Sequence, residues 1–433
     1  MEKSRLQEKP LRAVVVGGGA AGCLAAGCLP DMCPEGMPLS VTVLERGSSP
    51  LRKVGISGGG RCNLTNSFER IDSLSVAYPR GDKLLRKLFS RFSPQDARKF
   101  FESRGVPLVT QEDGCVFPRS QKSSSIVGAL LRSMKDGSVI LKTSHRVESI
   151  TQDAPGKTIT ISGTGPDGPF SMECEAVLIT TGGFSGGTSK MLSALDLDIV
   201  PPLPSLFTLK IDDHSLRSLM GIVVKDAVLR IPGTSLRSEG ELLLTDWGIS
   251  GPATLRLSSY AARYLGDRSY QCPLLIDWSG GLGPDALDGL LGDILSSNPR
   301  KRLRSTPPPF LQQRLWEHIL SRAGLRPDMV WAELGGKGRR KLVEILSSDR
   351  YDVTGRATFK EEFVTCGGVG LSEVDPSGMG CRKHPGIFFA GEVLDIDAIT
   401  GGFNLQAAWT TGYCAAWGMA AYLGAIHENN KTI

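Results

Sequence analysis

A short β-branched run that leads directly into a glycine-rich turn constrains the fold of this chain more than any other feature. Residues 11–26 have the sequence LRAVVVGGGAAGCLAA, and Ala13–Val16 are typical of a central strand in a parallel sheet. In the motif that follows, Gly17 permits a tight turn, Gly19 lets the backbone approach a pyrophosphate, and Gly22 lets the helix pack closely on the strand. The helix N-terminus offers N–H donors and a positive dipole end to phosphates. The sequence therefore predicts a dinucleotide-binding strand, turn and helix.

A carboxylate at the end of the next predicted strand supports this interpretation. The segment LSVTVLERG contains Glu45, about 20 residues beyond the turn, where an acid can accept hydrogen bonds from both hydroxyls of an adenosine ribose. An acid at this place argues against a ribose 2′-phosphate. A second copy of the glycine pattern, Gly163–Gly168, lies between two strand-like runs and contains Pro166 and Asp167. It therefore predicts a hairpin loop instead.

The N-terminal residues also imitate a secretory signal peptide. MEKSRLQEKPLR is basic, and the residues after it are apolar and small, as in such peptides. Because the second strand and Glu45 complete a dinucleotide-binding unit, we favour the strand, turn and helix. No other apolar run reaches the ~18 residues of a membrane span. We expect no membrane span and a cytoplasmic location, or an organellar one if this chain lacks a transit peptide.

A second glycine-rich stretch, KVGISGGGRCNLTN at residues 53–66, follows the second strand within a few residues. It therefore begins at the same end of the sheet as the first turn. Its bare backbone at Gly58–Gly60 can donate N–H groups to an anion and can admit a flat ring. Arg61 would add positive charge toward phosphates, and Ser57 and Asn63 would bind a ribityl chain or the edge of a ring.

The same stretch resembles a signature of the HI0933-like flavoproteins (BaiN/YhiN type), also described as aminoacetone-oxidase-like FAD-binding enzymes. RKVGISGGGRCNLTN is close to the family pattern NKxLISGGGRCNxTN. Four further segments resemble the family in order: GVPLVTQEDGCVFPRSQKSSSIVGAL, VLITTGG, GELLLTDWGISGPATLRLS and PGIFFAGEVLDIDAITGGFNLQAAWTTGYCAA. The resemblance covers nearly the whole chain, and YPRG and PSLFTLKI resemble the plant and cyanobacterial branch.

The resemblance implies an α/β fold: a Rossmann-like FAD-binding domain of the glutathione-reductase type, ββα-layered, with an inserted β-barrel-like and helical domain. Residues 1–190 and 357–433 would form the FAD-binding domain, and residues 191–356 the substrate-side insert. The insert sequence agrees with this. Residues 200–280 alternate apolar and polar positions between turns, whereas residues 284–348 look helical, with breaks at STPPPF and LGGKGRRK.

Both ends of the chain would bind FAD. IFFAGE predicts a buried strand that ends at Gly391 and Glu392, and the helix that opens at Gly401 and Gly402 would direct its N-terminus at the flavin pyrimidine edge. From the motifs and the resemblance together, we expect the cofactor to be bound by Gly17, Gly19, Ala20, Ala21, Gly22, Glu45, Arg46, Lys53, Ser57, Gly58, Gly59, Gly60, Arg61, Cys62, Asn63, Val147, Thr181, Gly182, Gly183, Gly391, Glu392, Asp395, Gly401, Gly402, Asn404, Leu405 and Gln406.

The resemblance also implies an FAD-dependent oxidoreductase that transfers a hydride between NAD(P)H or an organic substrate and an acceptor through flavin N5. No second strand–GxGxxG–helix unit occurs in the sequence, so NAD(P)H would bind only transiently. Cys62 has no partner in a CxxxxC pattern, which argues against a disulfide reductase.

An alternative is an FAD-binding protein whose flavin is structural or sensory and which binds RNA through two basic clusters of the insert, Arg300–Arg304 and Lys337–Lys341. Basic surface attracts anions. However, a solvated surface is the simpler explanation of the clusters, and no aromatic residues are interleaved with them as in single-strand platforms. We therefore expect a small-molecule substrate and no nucleic-acid partner, and leave the oligomeric state open.

Composition excludes few other classes. The net charge of +5 over 433 residues does not by itself indicate a nucleic-acid partner. The ten cysteines form no CxxC and the five histidines no HExxH, so we expect free thiols and no metal site. Two segments depart from the family pattern: GGFSGGTSKMLSALDLDIV and TCGGVGLSEVDPSGMGCRK. Because of these departures, the resemblance does not identify the substrate. No acid–base pair has a compelling spacing, so the catalytic residues stay unassigned.

Overall fold

The computed structural model of this chain describes residues 9–357 and 364–432. Two stretches lie outside this description. They are the first eight residues of the basic N-terminal segment, and residues 358–363 near the start of the predicted C-terminal part of the FAD-binding domain. By backbone contacts the chain forms two compact units. The first comprises the described parts of Met1–Pro202 and Val364–Ile433, and the second those of Leu203–Phe363. The sequence-based limits at 191 and 356 stay a prediction.

The strands of the described residues, numbered in chain order, are β1 (Leu11–Val16), β2 (Leu39–Leu44), β3 (Thr65–Asn66), β4 (Leu108–Thr110), β5 (Cys115–Pro118), β6 (Ile140–Lys142), β7 (Arg146–Gln152), β8 (Ile159–Gly165), β9 (Gly168–Cys174), β10 (Ala176–Ile179), β11 (Ile199–Ser205), β12 (Leu209–Ile211), β13 (Val223–Arg230), β14 (Arg237–Thr245), β15 (Gly248–Ser250), β16 (Cys272–Asp277), β17 (Asp349–Arg356), β18 (Val364–Val369), β19 (Val374–Asp375), β20 (Gly380–Cys381) and β21 (Ile387–Phe389).

The α-helices are α1 (Ala20–Met32), α2 (Arg52–Gly60), α3 (Leu74–Ala77), α4 (Asp82–Leu88), α5 (Pro94–Glu102), α6 (Ser124–Asp136), α7 (Gly186–Leu192), α8 (His214–Arg217), α9 (Pro252–Tyr260), α10 (Ala262–Gly266), α11 (Pro284–Ser297), α12 (Gln313–Arg322), α13 (Gly335–Ser348) and α14 (Phe403–Thr432). Short 3₁₀ turns occupy Ser193–Leu195, Leu303–Ser305, Trp331–Glu333, Leu371–Glu373 and Gly391–Val393. Within the described residues, none of the helices has the length and apolar character needed to cross a bilayer.

The first unit is built on a seven-stranded sheet of order β19-β20-β21-β10-β1-β2-β6. Its core strands β21, β10, β1, β2 and β6 are parallel. Val14 and Val15 of β1 are fully buried, as expected for a strand that is covered on both faces. Helix α1 packs against α6 and α14, and the antiparallel sheet β7-β8-β9 contacts β1 through β9. The predicted ββα-layered Rossmann fold is confirmed.

The second unit is a closed six-stranded barrel, β12-β15-β14-β13-β16-β17, with helices packed on it. Helix α9 contacts β14, α13 contacts β16, and α11 and α12 pack on α13. A single buried apolar cluster runs from the barrel into these helices and includes Trp278, Trp316 and Trp331. The inserted β-barrel-like domain with helices that the resemblance implies is therefore confirmed.

Two local predictions have different outcomes. The second glycine pattern forms the β8–β9 hairpin, in which Gly165 pairs with Gly168, as predicted. The predicted helix break at LGGKGRRK is wrong, because these residues begin α13. Gly335 adopts a left-handed φ of 61°, and the residues after it continue as a regular helix. All ten cysteines are free thiols, as predicted.

Candidate cofactor site

The turn between β1 and α1 has no room for a side chain at two of its glycines. Gly17 has a φ of 112°, and a Cβ atom there would lie 2.3 Å from Thr180 O. At Gly22 a Cβ atom would lie 2.1 Å from Gly17 O and 2.5 Å from Thr180 Oγ1. Because packed interiors do not tolerate such distances, both positions require glycine, as the motif predicts.

The third glycine of the motif faces open space. Gly19 is the N-cap residue of α1, and apart from its own chain neighbours no described residue has a heavy atom within 4 Å of the place where its Cβ would be. The helix has no side-chain cap and no acidic residue in its first turn, and Cys23 N donates back to Gly19 O at 3.0 Å. The N–H groups of the first turn, including those of Ala20 and Ala21, thus have no partner inside the helix. This arrangement suits an anion such as a pyrophosphate.

Glu45 lies directly beside this turn. Its Oε2 accepts a hydrogen bond from Gly18 N at 2.8 Å, and its Oε1 accepts one from Gly47 N at 2.6 Å. The two bonds fix the carboxylate at the carboxyl end of β2, as the ribose-binding prediction requires. Whether it also binds a ribose stays a prediction.

A cavity of about 340 Å³ lies next to Glu45 along the chain. Its lining residues come from the end of β2 and from the β7–β8 pair: Arg46, Ser144, Arg146, Glu148, Thr164, Gly165 and Pro166. Val147 lies between two of these residues on β7 and pairs with Gly163. Its volume is close to the lower limit of ordinary ligand pockets, ~300 Å³. The structure thus places Arg46 at this cavity and Val147 on the strand that contributes to its lining.

The second glycine-rich stretch is a helical turn that ends in left-handed glycines. Regular helix stops at Ser57, whose ψ is 148°, and Gly58, Gly59 and Gly60 have φ values of 56°, 67° and 82°. A Cβ atom at Gly58 would lie 3.0 Å from Asn63 N, whereas Gly59 and Gly60 have no neighbour within 4 Å. Two of the three glycines therefore present open backbone, as expected for a segment that a ligand approaches.

Ser123, which sequence reasoning missed, holds this stretch in place. Its Oγ donates to Gly55 O at 2.7 Å, and its N donates to Gly60 O at 2.9 Å. The guanidinium of Arg61 stacks over the Phe117 ring, 4.4 Å from its centroid. Cys62 is fully buried, and burial raises the pKa of its thiol to about 12. The thiol is therefore protonated at neutral pH, which argues against a redox role.

An ion pair joins this stretch to the loop after β21. Lys53 Nζ lies 2.9 Å from Glu392 Oε2, and Glu392 Oε1 accepts from Thr365 N at 2.9 Å. Cβ atoms placed on Gly182 and Gly183 would lie 3.9 and 3.2 Å from the same carboxylate. Three residues predicted from other motifs, Lys53, Gly182 and Gly183, therefore meet around Glu392. Thr365 is a further neighbour that no motif indicated.

Two observations next to this ion pair indicate space for a polar ligand. Gly182 has a φ of 78° and no other contact within 4 Å of its Cβ position. The hydroxyl of Thr181 is buried and has no hydrogen-bond partner among the residues that the structure describes. Since buried polar groups in proteins are almost always satisfied, this hydroxyl indicates a ligand group or a water beside it.

The start of α14 is locked to the Gly-rich stretch. Gly402 has a φ of 88°, and its Cβ atom would lie 2.4 Å from Thr65 O. The Asn63 amide bridges the two segments: its Nδ2 donates to Thr65 O at 3.0 Å, and its Oδ1 accepts from Gly402 N at 3.2 Å. Gly401 has a φ of 128°. Gly391 N donates to Thr411 Oγ1 at 2.9 Å, so α14 also fixes the loop after β21.

Not every predicted residue presents its side chain to open space. The Gln406 side chain is fully buried; its Oε1 accepts from Thr65 Oγ1 at 2.6 Å, and its Nε2 donates to Thr410 Oγ1 at 3.0 Å. Asn404 forms two bonds of 3.0 Å with the backbone of Ala398. A ligand contact by the Gln406 side chain would have to break its bonds. Leu405, between them, is half-buried.

The loop that precedes α14 contains a buried ion pair that sequence reasoning missed. Asp397 is fully buried and receives two hydrogen bonds from the guanidinium of Arg80. Asp395, two residues earlier, accepts from Gly367 N at 3.0 Å. The pair joins residues 317 positions apart, so no local pattern could reveal it.

The arrangement fits a flavin dinucleotide. It offers an uncapped helix N-terminus that suits a pyrophosphate, a fixed carboxylate where the motif predicts a ribose, and a neighbouring cavity of about 340 Å³. It also has open backbone at Gly59 and Gly60 and an unpartnered hydroxyl at Thr181. Grouped His, Cys, Asp or Glu side chains that could hold a metal ion do not occur in the part of the chain that the structure describes.

Comparison with known proteins agrees with this site. The profile of one family, described as HI0933-like protein Rossmann domain, matches residues 11–418. The chain belongs to this family. It is thus a flavoprotein oxidoreductase with a Rossmann-type FAD domain. The plant or cyanobacterial branch stays a prediction.

Two curated relatives match over nearly their full length. A ribosomal RNA dihydrouridine synthase of Escherichia coli (strain K12) is 28% identical over 426 residues, which cover 94% of this chain and 98% of the relative. A 3-dehydro-bile acid delta(4,6)-reductase of Clostridium scindens (strain ATCC 35704 / DSM 5676 / VPI 13733 / 19) is 26% identical over 404 residues, which cover 93% and 97%.

A solved structure shows the same fold. The 3-ketosteroid delta1-dehydrogenase of Sterolibacterium denitrificans, in complex with 1,4-androstadiene-3,17-dione, aligns with a TM-score of 0.50 at 13% identity and covers 94% of this chain and 99% of that chain. At this identity the similarity concerns the fold and does not extend to the substrate.

Proposed function

We propose that this protein is an FAD-dependent reductase of carbon–carbon double bonds that are conjugated with a carbonyl group, with NAD(P)H as the electron donor. The observation that carries the proposal is the shared chemistry in the names of the two full-length relatives. Dihydrouridine is uridine with its C5–C6 double bond reduced, and that bond is conjugated with the C4 carbonyl. A double bond at position 4 of a 3-dehydro bile acid is likewise conjugated with the 3-oxo group, and one at position 6 is conjugated with it through the double bond at position 4.

The proposed reaction adds a hydride and a proton across the double bond, while NAD(P)H is oxidised to NAD(P)⁺. Bound FAD would supply the hydride-transfer chemistry. The protein would fix the position of the cofactor: the α1 N-terminus and Glu45 at the adenosine half, and Gly58–Gly60 and the α14 N-terminus at the other half. A helix N-terminus stabilises negative charge that develops nearby.

The predicted use of NAD(P)H and the choice of acceptor belong to the proposal. The expectation of a small-molecule substrate fits an enone. A uridine in RNA has the same reactive bond, and one full-length relative is named for ribosomal RNA. The proposal therefore includes a nucleic acid among the possible substrates, in contrast to the expectation from the sequence.

The test begins with the visible spectrum of the purified protein before and after anaerobic addition of NADPH or NADH. We expect an oxidised-flavin spectrum that bleaches, and that recovers when a cyclic enone or a uridine-containing RNA is added. Mass spectrometry should then find a product with two additional hydrogens. A flavin that bleaches but is reoxidised by neither acceptor would contradict the proposed reaction, and a protein that binds no FAD would contradict the cofactor.

A further inference from the structure

The two basic clusters of the second unit come together in the folded structure. Residues 299–304 run antiparallel to residues 327–332 and are joined to them by backbone bonds: Trp331 N donates to Lys301 O at 3.0 Å, and Ala332 N donates to Pro299 O at 2.9 Å. Arg302 also forms an isolated bridge with Val330. The first cluster is therefore attached to the segment that leads directly into α13.

The second cluster occupies the first turns of that helix. Lys337 lies five residues beyond Ala332, a separation of at most about 17 Å even in an extended chain. The real separation is shorter, because residues 331–333 form a 3₁₀ turn and the helix begins at Gly335. Helix α13 has no side-chain cap and no acidic residue in its first turn, so its dipole adds positive potential to the same place.

The charge of this region is unbalanced. Residues 299–304 and 326–341 contain nine Lys or Arg and two Asp or Glu, an excess of seven positive charges, whereas the whole chain carries +5. The rest of the chain is thus slightly negative. Two of the nine basic side chains are neutralised locally, because Arg339 pairs with Asp288 and Lys341 pairs with Glu344.

Six basic residues of the two clusters are exposed, and within the described residues none of them is paired with a carboxylate: Arg300, Lys301, Arg302, Arg304, Lys337 and Arg340. We call these six residues the basic surface. On α13, Lys337 and Arg340 are three residues apart and therefore share one face, opposite the buried Leu342 and Leu346. The clusters thus form one positively charged area and not two separate solvated patches.

We propose that the basic surface is a docking surface for the sugar–phosphate backbone of RNA. When closely spaced Lys and Arg without carboxylate partners contact phosphates, counterions are released from the nucleic acid. This release favours binding that does not depend on the base sequence. The nearby Trp331 is fully buried, so it cannot stack on bases. The choice of RNA over another polyanion rests on the proposed function, because uridine in RNA is one of its two acceptors.

The test compares two quadruple variants of the full-length, FAD-loaded protein. The first changes the basic surface: Arg300→Gln, Lys301→Gln, Lys337→Gln and Arg340→Gln. The matched control changes two Arg and two Lys that are exposed in the first unit: Lys83→Gln, Arg86→Gln, Arg119→Gln and Lys135→Gln. FAD content and circular dichroism verify that both variants fold. The probe is a fluorescently labelled, uridine-rich RNA of about 30 nucleotides, titrated at several salt concentrations.

We expect the surface variant to bind this RNA at least tenfold more weakly than wild type at about 0.1 M salt. The plot of the logarithm of the association constant against the logarithm of the salt concentration should become less steep, by roughly three in the magnitude of its slope. The control variant should stay close to wild type in both measurements. Equal losses in the two variants would overturn the proposal. So would a wild-type protein that binds vesicles of anionic phospholipid but not the RNA. Reduction of a small cyclic enone by the wild-type protein is measured separately, so a failure of the proposed function is distinguishable from a failure of RNA docking.

Discussion

Single residues of the first turn show how one motif combines different steric requirements. Gly17 and Gly22 leave no room for a Cβ atom, whereas Gly19 faces open space. The spacing of the motif predicted all three roles, because the turn, the ligand approach and the helix packing are local consequences of glycine. Thr181 was in the predicted set, but no pattern indicated that its buried hydroxyl would have no hydrogen-bond partner among the described residues.

Gly22→Ala tests the steric role of this turn. The added methyl group would collide with Gly17 O, so α1 must move away from β1. We expect a loss of about 1–3 kcal/mol in the free energy of unfolding and weaker FAD binding, measured by urea denaturation and by FAD titration of the apoprotein.

Gly128→Ala is the matched control for this substitution. It lies inside α6, and the contact within 4 Å of its Cβ position is the flexible end of Arg132, at 3.2 Å. An alanine in a helix interior is more stable than glycine by roughly 0.5–1 kcal/mol where space allows. If Gly22→Ala changed the free energy of unfolding as this control does, the close packing of α1 on β1 would not require glycine at position 22.

At the scale of elements, local sequence predicted the type of most strands and helices but not every boundary. LGGKGRRK was interpreted as a break because glycine disfavours helix interiors, yet only Gly335 is left-handed there. The lysines and arginines that follow are good helix formers, and Leu342 and Leu346 bury the helix against the core. Tertiary burial thus decided an ambiguity that propensity alone could not resolve.

The Arg80–Asp397 pair should fix the loop that precedes α14. Arg80→Met would leave the fully buried carboxylate of Asp397 without its guanidinium. We expect a loss of about 3–5 kcal/mol in the free energy of unfolding, measured by urea denaturation, together with weaker FAD binding. The double variant Arg80→Met/Asp397→Leu removes both charges and should be more stable than the single variant. A double variant that is less stable than Arg80→Met would show that the unpaired carboxylate is not the main cause of the lost unfolding free energy.

A buried polar network joins α12 to the barrel in the second unit. Asp349 is fully buried and accepts bonds from Trp278 Nε1 (3.1 Å), Tyr351 OH (2.7 Å) and Arg322 Nη2 (2.6 Å). His318 Nε2 lies 2.9 Å from Tyr351 OH. Since Tyr351 OH donates to Asp349, the geometry makes His318 the donor to Tyr351.

Burial lowers the pKa of His318, although the charges of Asp349 and Asp213 oppose the shift. In the unfolded chain the pKa returns to about 6.5, so the unfolded state binds more protons as the pH falls below that value. The contribution of His318 to stability is therefore fully present above pH ~6.5 and is lost toward the lower pKa of the folded state.

His318→Gln should reduce this pH dependence, because glutamine keeps a donor for Tyr351 but does not titrate. We expect the wild-type protein to lose more unfolding free energy between about pH 7 and pH 5 than the variant, as measured by urea denaturation at each pH. His214→Gln replaces an exposed histidine of the same unit and leaves the network intact, so it should resemble wild type. Parallel curves for wild type and His318→Gln would assign the pH dependence to other groups.

At the scale of the whole molecule, the sequence predicted the components but not their pairing. An FAD domain formed by both chain ends and an inserted barrel followed from motif order and the family resemblance. The strand order β21-β10-β1-β2-β6 and the meeting of Lys53 with Glu392 depend on contacts between distant parts of the chain. Such pairings leave no local pattern in one sequence, and the convergence of the two basic clusters was hidden for the same reason.

Each compact unit has its own buried core, and all the residues expected to bind FAD lie in the first. We therefore expect urea to unfold the protein in two transitions, since chains with several domains commonly depart from two-state behaviour. Free FAD at about 100 times its dissociation constant should stabilise the first unit by about 2.7 kcal/mol and leave the second unchanged.

Tryptophan fluorescence can distinguish the two transitions, because Trp409 and Trp417 lie in the first unit and Trp247, Trp278, Trp316 and Trp331 in the second. Gly22→Ala should shift the transition that responds to FAD, and His318→Gln should alter the pH dependence of the other. A single transition that both variants and FAD shift together would mean that the two units unfold cooperatively. FAD binding in the first unit would then stabilise the barrel as well.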